Sequence, residues 1–428
     1  MVILMNKYAD LSNAELLAEY ESVKKTYQEL SNKGLSLDMS RGKPAADQLD
    51  LSLDSFNLVN AENGFRSRDG VDCRNYGGLD GLPELKELFG ELLEVPAKNV
   101  IVSNNASLNL MFDIISQAMT HGFGDKPWAA QGKVKFLCPV PGYDRHFSIC
   151  EYFGIEMINV PMTESGPDMD IIEELVKDES VKGMWCVPKY SNPDGIIYSD
   201  ETIKRLAKMK TGAKDFRIMW DNAYVIHPVF GECDPILNII DECQKAGDPD
   251  KVFVFTSTSK VMFPGAGVAV VASSDNNIAE LKKRMTVQTI GPDKLNQLRH
   301  SKMFPTLAAL TEHMKLHAAI MKPKFDAVLS GLESQLGGLG IANWNKPCGG
   351  YFISLFVQKG CAKEVVARCK EAGLVLTGAG ATYPYGIDPD DSNIRIAPSF
   401  PTPDELQTAT ELLCTATKLV CLEKLING

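Results

Sequence analysis

The sequence predicts an α/β protein, with a mostly parallel sheet between helices and a smaller α+β domain. Three observations lead there. The chain has 428 residues, 44% hydrophobic and 23% charged, enough for a large core and two or three domains. Short apolar runs alternate with helical patterns from residue 100 to residue 272. Strands apolar on both faces belong in a parallel sheet covered by helices. After about residue 315 the pattern changes to mixed strands and helices.

Taken in order, Ser12 and Glu15 form a capping box. Leu16, Tyr20, Val23, Tyr27 and Leu30 recur at helical spacing, predicting a helix over 11–30. This helix is expected to pack on the C-terminal region. Ser40-Arg41-Gly42-Lys43-Pro44 reads as a loop. Helices are expected at Pro83–Leu93 and Leu108–Met119. Strands are expected at Val100–Ser103, Val134–Cys138, Glu156–Val160, Met184–Val187, Arg217–Trp220, Val252–Thr256 and Val268–Ala272. A long helix follows from Leu307 to about Lys322. Tyr351–Val357, Lys363–Ala372 and Asn393–Ala397 complete the tail. This divides the chain into an N-terminal arm with part of the small domain (1–60), a large domain (61–314) and a small C-terminal domain (315–428).

Net charge is −11, which argues against broad nucleic-acid binding. The 11 cysteines are scattered with no Cys-x-x-Cys pair, as for buried thiols in a reducing compartment. Met1–Asp10 lacks the long apolar core of a signal peptide. No apolar run is long enough to span a bilayer. A cytoplasmic location is expected.

Four features carry chemistry, each opening at a strand end. Thr256-Ser257-Thr258-Ser259-Lys260 follows the strand Val252–Phe255, at the edge where α/β sheets bind ligands. A lysine there suits a Schiff base with an aldehyde, and its hydroxyl neighbours suit a phosphate. The plain alternative is a surface lysine in a Ser/Thr loop. Asp221 and Tyr224 end the strand from Arg217. An acid at that point pairs with a protonated pyridine nitrogen, as pyridoxal-phosphate (PLP) chemistry demands, and Tyr224 would face O3′ of that ring. The alternative is a helix-capping Asp. Asn192-Pro193-Asp194-Gly195 is a turn whose Asn192 amide would share O3′. Asn105-Ala106-Ser107 opens a helix, and free N–H groups there bind anions. Plain N-capping by Ser107 is the alternative.

Together with Asn75-Tyr76-Gly77-Gly78-Leu79-Asp80-Gly81, Pro141-Gly142-Tyr143 and Arg395-Ile396-Ala397, this set resembles the fold-type I PLP-dependent aminotransferases. The likeness spans about residues 40–399. A bacterial aspartate-aminotransferase-like subgroup, with Ser-Arg-Gly-Lys-Pro and Phe-Pro-Gly-Ala-Gly segments, is most similar. The resemblance implies a seven-stranded sheet, the cofactor pyridoxal 5′-phosphate, amino-acid and 2-oxo-acid substrates, and a homodimer with shared active sites. It implies that Lys260 carries the cofactor as a Schiff base and that Asp221 binds the ring nitrogen. Asn192 and Tyr224 would hold O3′, and Tyr143 would stack on the ring. Ala106, Ser107 and Ser257 would hold the phosphate, and Tyr76 would reach a neighbouring subunit's phosphate. Arg395 would clamp the substrate α-carboxylate beside Gly42. One departure stands out. Val268 occupies the place where the family usually has a phosphate-binding arginine.

A dicarboxylic substrate needs a second cation. Arg41 is the first candidate, then Lys294 and Arg299, unless all three are solvated surface charges. His313-x-x-x-His317 has metal-ligand spacing but no third ligand, so no metal is expected. Gly265-x-Gly267 lacks the context of a dinucleotide loop. The best functional reading is transfer of an amino group from aspartate or glutamate to a 2-oxo acid such as 2-oxoglutarate. Another fold-type I PLP enzyme, a β-lyase or decarboxylase, stays open. So does a ligand sensor without catalysis, although the sequence leaves no room for a DNA-binding head.

Overall fold

A computed structural model describes residues 7–232 and 235–427; Met1–Asn6, part of the signal-peptide reading, lie outside them. The strands, numbered along the chain, are β1 Leu37–Asp38, β2 Val100–Ser103, β3 Lys135–Val140, β4 Glu156–Thr163, β5 Gly166–Pro167, β6 Val181–Cys186, β7 Arg217–Asp221, β8 Val252–Ser257, β9 Ala269–Ala272, β10 Ala342–Trp344, β11 Ile353–Val357, β12 Leu374–Val375 and β13 Asn393–Ile396.

The main sheet runs β2-β9-β8-β7-β6-β3-β4-β5. Strands β8, β7, β6, β3 and β4 run parallel to one another. Their residues are buried on both faces in β6, β7 and β8, as expected of strands covered by helices. All seven expected strands are present. The eighth, β5, is a two-residue strand turned back on β4. Strand β9 runs antiparallel to both β2 and β8. The link from β8 is too short for a helical crossover, so the chain returns antiparallel.

A second sheet, β10-β11-β13, is antiparallel. It shares one apolar core with the helices Asn13–Ser31, Ala362–Glu371 and Pro403–Asn427. The N-terminal helix carries the expected capping box. It packs on the last helix, where Tyr20 Oη donates to Glu423 at 3.2 Å. That last helix has buried residues nearly all round, so it shows no single apolar stripe to read.

The long helix begins at Leu307 as expected but runs on to Leu336, through Pro323. Leu310 and Met314 pack in the core of the main sheet. Met321, Phe325, Val328, Leu332 and Leu336 pack in the core of the second sheet. Burial of this second face outweighs the hydrogen bond that proline removes. Among the described residues no helix is long and apolar enough to cross a membrane.

Candidate active site

The carboxyl ends of the parallel strands converge on Lys260, three residues past β8. Its Nζ stands 5.1 Å from the centre of the Tyr224 ring and 5.8 Å from that of Tyr351. Burial lowers the pKa of this amine, and the charge of Asp221 opposes that shift. Neutral amine is the nucleophilic form, so the setting favours Schiff-base chemistry.

Asp221 is the last residue of β7 and is buried. Its Oδ2 accepts from Nε2 of His146 at 3.0 Å, while Oδ1 is buried with no hydrogen-bond partner among the described residues. A protonated ring nitrogen is a donor that would satisfy Oδ1, so the site fits PLP. His146 is stacked on Trp185 of β6 (4.3 Å, 7°) and meets the Tyr143 ring edge-on at 4.9 Å. Sequence reasoning missed His146. Its signal was its place three residues after Tyr143, on the first turn of the helix Asp144–Tyr152, which follows β3.

Both phenols near Asp221 stay protonated. Burial pushes Tyr143 up to about 12, helped by the charge of Asp221. Burial also raises Tyr224 well above its ordinary value. A phenol kept protonated can donate to an oxygen anion such as O3′.

Arg395, on β13, is buried. Its Nη1 donates to Asp144 Oδ1 at 2.9 Å and to Asn192 Oδ1 at 3.3 Å, and Nη2 donates to Thr377 Oγ1 at 3.2 Å. Its guanidinium lies 4.9 Å from the ring centre of Phe352. Gly42 presses on that ring from the other chain segment. A Cβ at Gly42 would come within 2.5 Å of Phe352 Cζ, so the close approach needs glycine.

At the phosphate end, the helix Ser107–Thr120 opens at Ala106 with no side-chain cap, which leaves leading N–H groups for an anion. Ser257 Oγ donates to Ser259 Oγ at 3.0 Å. Val268 is buried, and its N–H donates to Thr258 Oγ1 at 2.9 Å. It serves the core and the loop, not the anion.

Other expected residues stand apart. Tyr76 is 81% exposed. Arg41 is exposed beside Gly42. Lys294 Nζ donates to the carbonyl of Gly77 at 2.5 Å. Arg299 lies against the rings of Phe56 and Phe263 and donates to Asn296 Oδ1 at 2.5 Å. Among the described residues no group of three or more His, Cys, Asp or Glu could hold a metal.

Asp194, two residues past Asn192, is buried and its pKa is pushed up to about 7 by that burial. Below about pH 4 the carboxyl is protonated whether the chain is folded or not. Between there and pH 7 only the unfolded chain ionises it readily, so stability falls as pH rises. Asp194→Asn lacks this slope. The melting temperature of the variant relative to the wild type is expected to rise between about pH 5 and about pH 8. A gap that stays constant would show that the carboxyl is not held protonated.

The fold thus holds a lysine just past β8, an acid at the end of β7 and an arginine on the second sheet. Comparison with known proteins identifies the family. Residues 11–428 match the family model described as "Aspartate amino-transferase", and the chain belongs to that family. It is 44% identical over 433 residues to an aspartate aminotransferase of Corynebacterium glutamicum, covering 99% of this chain and 100% of the relative. The crystal structure of an aspartate transaminase from that organism superposes with a TM-score of 0.95 at 44% identity, over 97% of this chain and 98% of that one. The α-aminoadipate aminotransferase LysN of Thermus thermophilus, complexed with N-(5′-phosphopyridoxyl)-L-leucine, shares the fold at TM-score 0.74 and 19% identity, over 97% of this chain and 100% of that one. The protein is an aminotransferase, its cofactor is pyridoxal 5′-phosphate, and its substrates are amino acids and 2-oxo acids.

Proposed function

We propose that this aminotransferase takes its amino group from aspartate or glutamate and passes it to a 2-oxo acid such as 2-oxoglutarate in a ping-pong sequence. The observation that carries the amino-acid part of the proposal is Arg395, buried and bonded to Asp144 and Asn192. It is a planar cation suited to a carboxylate next to the cofactor's place. The name of the Corynebacterium relative supports aspartate. The exposed Arg41, beside Gly42, is the cation proposed for a second carboxylate.

In this reading Lys260 carries the cofactor, Asp221 binds its ring nitrogen, and Tyr224 and Asn192 hold its O3′. Tyr143 stacks on the ring, and Ala106, Ser107 and Ser257 hold the phosphate. Tyr76, so exposed in one chain, reaches the phosphate of a second copy in a homodimer. Bound PLP supplies an electron sink for the carbanion at the substrate α-carbon. Arg395 and Gly42 orient the α-carboxylate, so that the α-hydrogen faces Lys260. The Lys260 amine, free once the substrate's amino group has taken its place on the cofactor, would take that proton and deliver it to the cofactor's C4′. Asp221 keeps the ring nitrogen protonated, and His146 holds Asp221 in place.

The absorbance spectrum of the purified holoprotein tests this. Aspartate alone is expected to bleach the Schiff-base band, and 2-oxoglutarate to restore it. If aspartate and glutamate leave the band unchanged while another amino acid bleaches it, the substrate assignment is wrong.

A further inference from the structure

His313 and His317 lie one turn apart on the helix Leu307–Leu336, and both are buried. Their Nε2 atoms stand 2.9 and 3.1 Å from the carbonyl oxygen of Val261, the residue after Lys260. They stand 3.1 Å from each other. A carbonyl has no proton to give, so each contact requires the imidazole to donate from Nε2.

Gln48 sets the tautomer of His317. The N–H of Ala45 donates to Gln48 Oε1 at 3.2 Å, which orients the amide. Its Nε2 then faces inward, donating to Tyr351 Oη at 2.9 Å and to His317 Nδ1 at 3.2 Å. Because Nδ1 accepts, the proton of His317 sits on Nε2 and points at Val261. His227 approaches from another side, with Nε2 3.4 Å from the carbonyl of Lys260 itself.

Burial keeps these rings neutral. It pushes His317 down to about 4 and lowers His313 as well. The chain of bonds starts in the segment that carries Arg41 and Gly42 and ends on the backbone of the lysine loop.

We propose that Gln48, His317 and His313 are positioning residues for Lys260: their hydrogen bonds pin the Val261 carbonyl and tie the aim of the lysine to the substrate-facing segment 41–48. This rests on the reading of Lys260 as the cofactor lysine. None of the three is a catalytic residue, since they act through Val261 and the backbone.

The test compares wild-type holoprotein with Gln48→Met, His317→Leu and His317→Gln. Two readouts are taken: the pH titration of the Schiff-base absorbance, and kcat and KM for aspartate. Gln48→Met and His317→Leu are expected to move the titration midpoint by about half a unit or more. They should lower kcat by about tenfold, with KM within about twofold, as expected when a reacting group is misplaced but binding is kept. His317→Gln keeps an N–H donor near the position of Nε2 and should recover most of both. If His317→Leu does not fold, Gln48→Met decides alone. A Gln48→Met protein with wild-type titration and kcat, and only a lower melting temperature, overturns the proposal. A wild-type protein with no Schiff-base band fails at the earlier step, the assignment of Lys260, before any variant is compared.

Discussion

Lys260→Ala is expected to remove both the Schiff-base absorbance and turnover, the latter by about 10⁴-fold or more, since one residue supplies both the covalent anchor and the proton carrier. The structure gives the reasons. The pKa of the amine is lowered by burial, with the carboxylate of Asp221 acting in the opposite sense. A methyl group in its place can form no imine and take no proton. The checks are an absorbance spectrum after reconstitution with PLP and an assay with aspartate and 2-oxoglutarate. A yellow, active Lys260→Ala protein would show that another amine does the work.

Asp221→Asn is expected to cost nearly as much. The change keeps the shape and can keep one bond to His146. What it removes is the negative charge that holds the ring nitrogen protonated. It also frees His146 to take its other tautomer, because an amide can donate as well as accept. A loss of about 10²–10⁴-fold in kcat is expected, with KM changed much less, because the interaction strengthens as charge develops on the ring. Steady-state kinetics separates the two parameters. A variant that lost only affinity for the amino acid would place Asp221 in substrate binding instead.

Much of this site was legible because its residues sit in short runs at strand ends. Lys260, Asp221 and Asn192 each follow an apolar strand, and α/β sheets present ligands at that edge. The exact ends of β2 and the helix Pro83–Leu93 were legible from turn residues and apolar spacing. What could not be read depends on contacts across the chain. His146 and Asp221 are 75 residues apart in sequence and 3.0 Å apart in space. The partners of Arg395 come from Asp144, Asn192 and Thr377, on three separate segments. Pro323 reads as the end of a helix, and only burial of the residues beyond it carries the helix on. The spacing of His313 and His317 was visible, but their common target, a backbone carbonyl, has no side-chain signature.

The helix Leu307–Leu336 has a mechanical consequence. It is one rod embedded in both bodies of the protein, so neither can swing freely about a loose linker. Any closing of the second sheet over Lys260 has to flex this rod. The helix passes from the core of the main sheet at Met314 to that of the second sheet at Met321, and Pro323 follows within the next turn. Its missing N–H makes that point the cheapest place to bend. A change in the angle between the two bodies would therefore fall first on this turn of the helix.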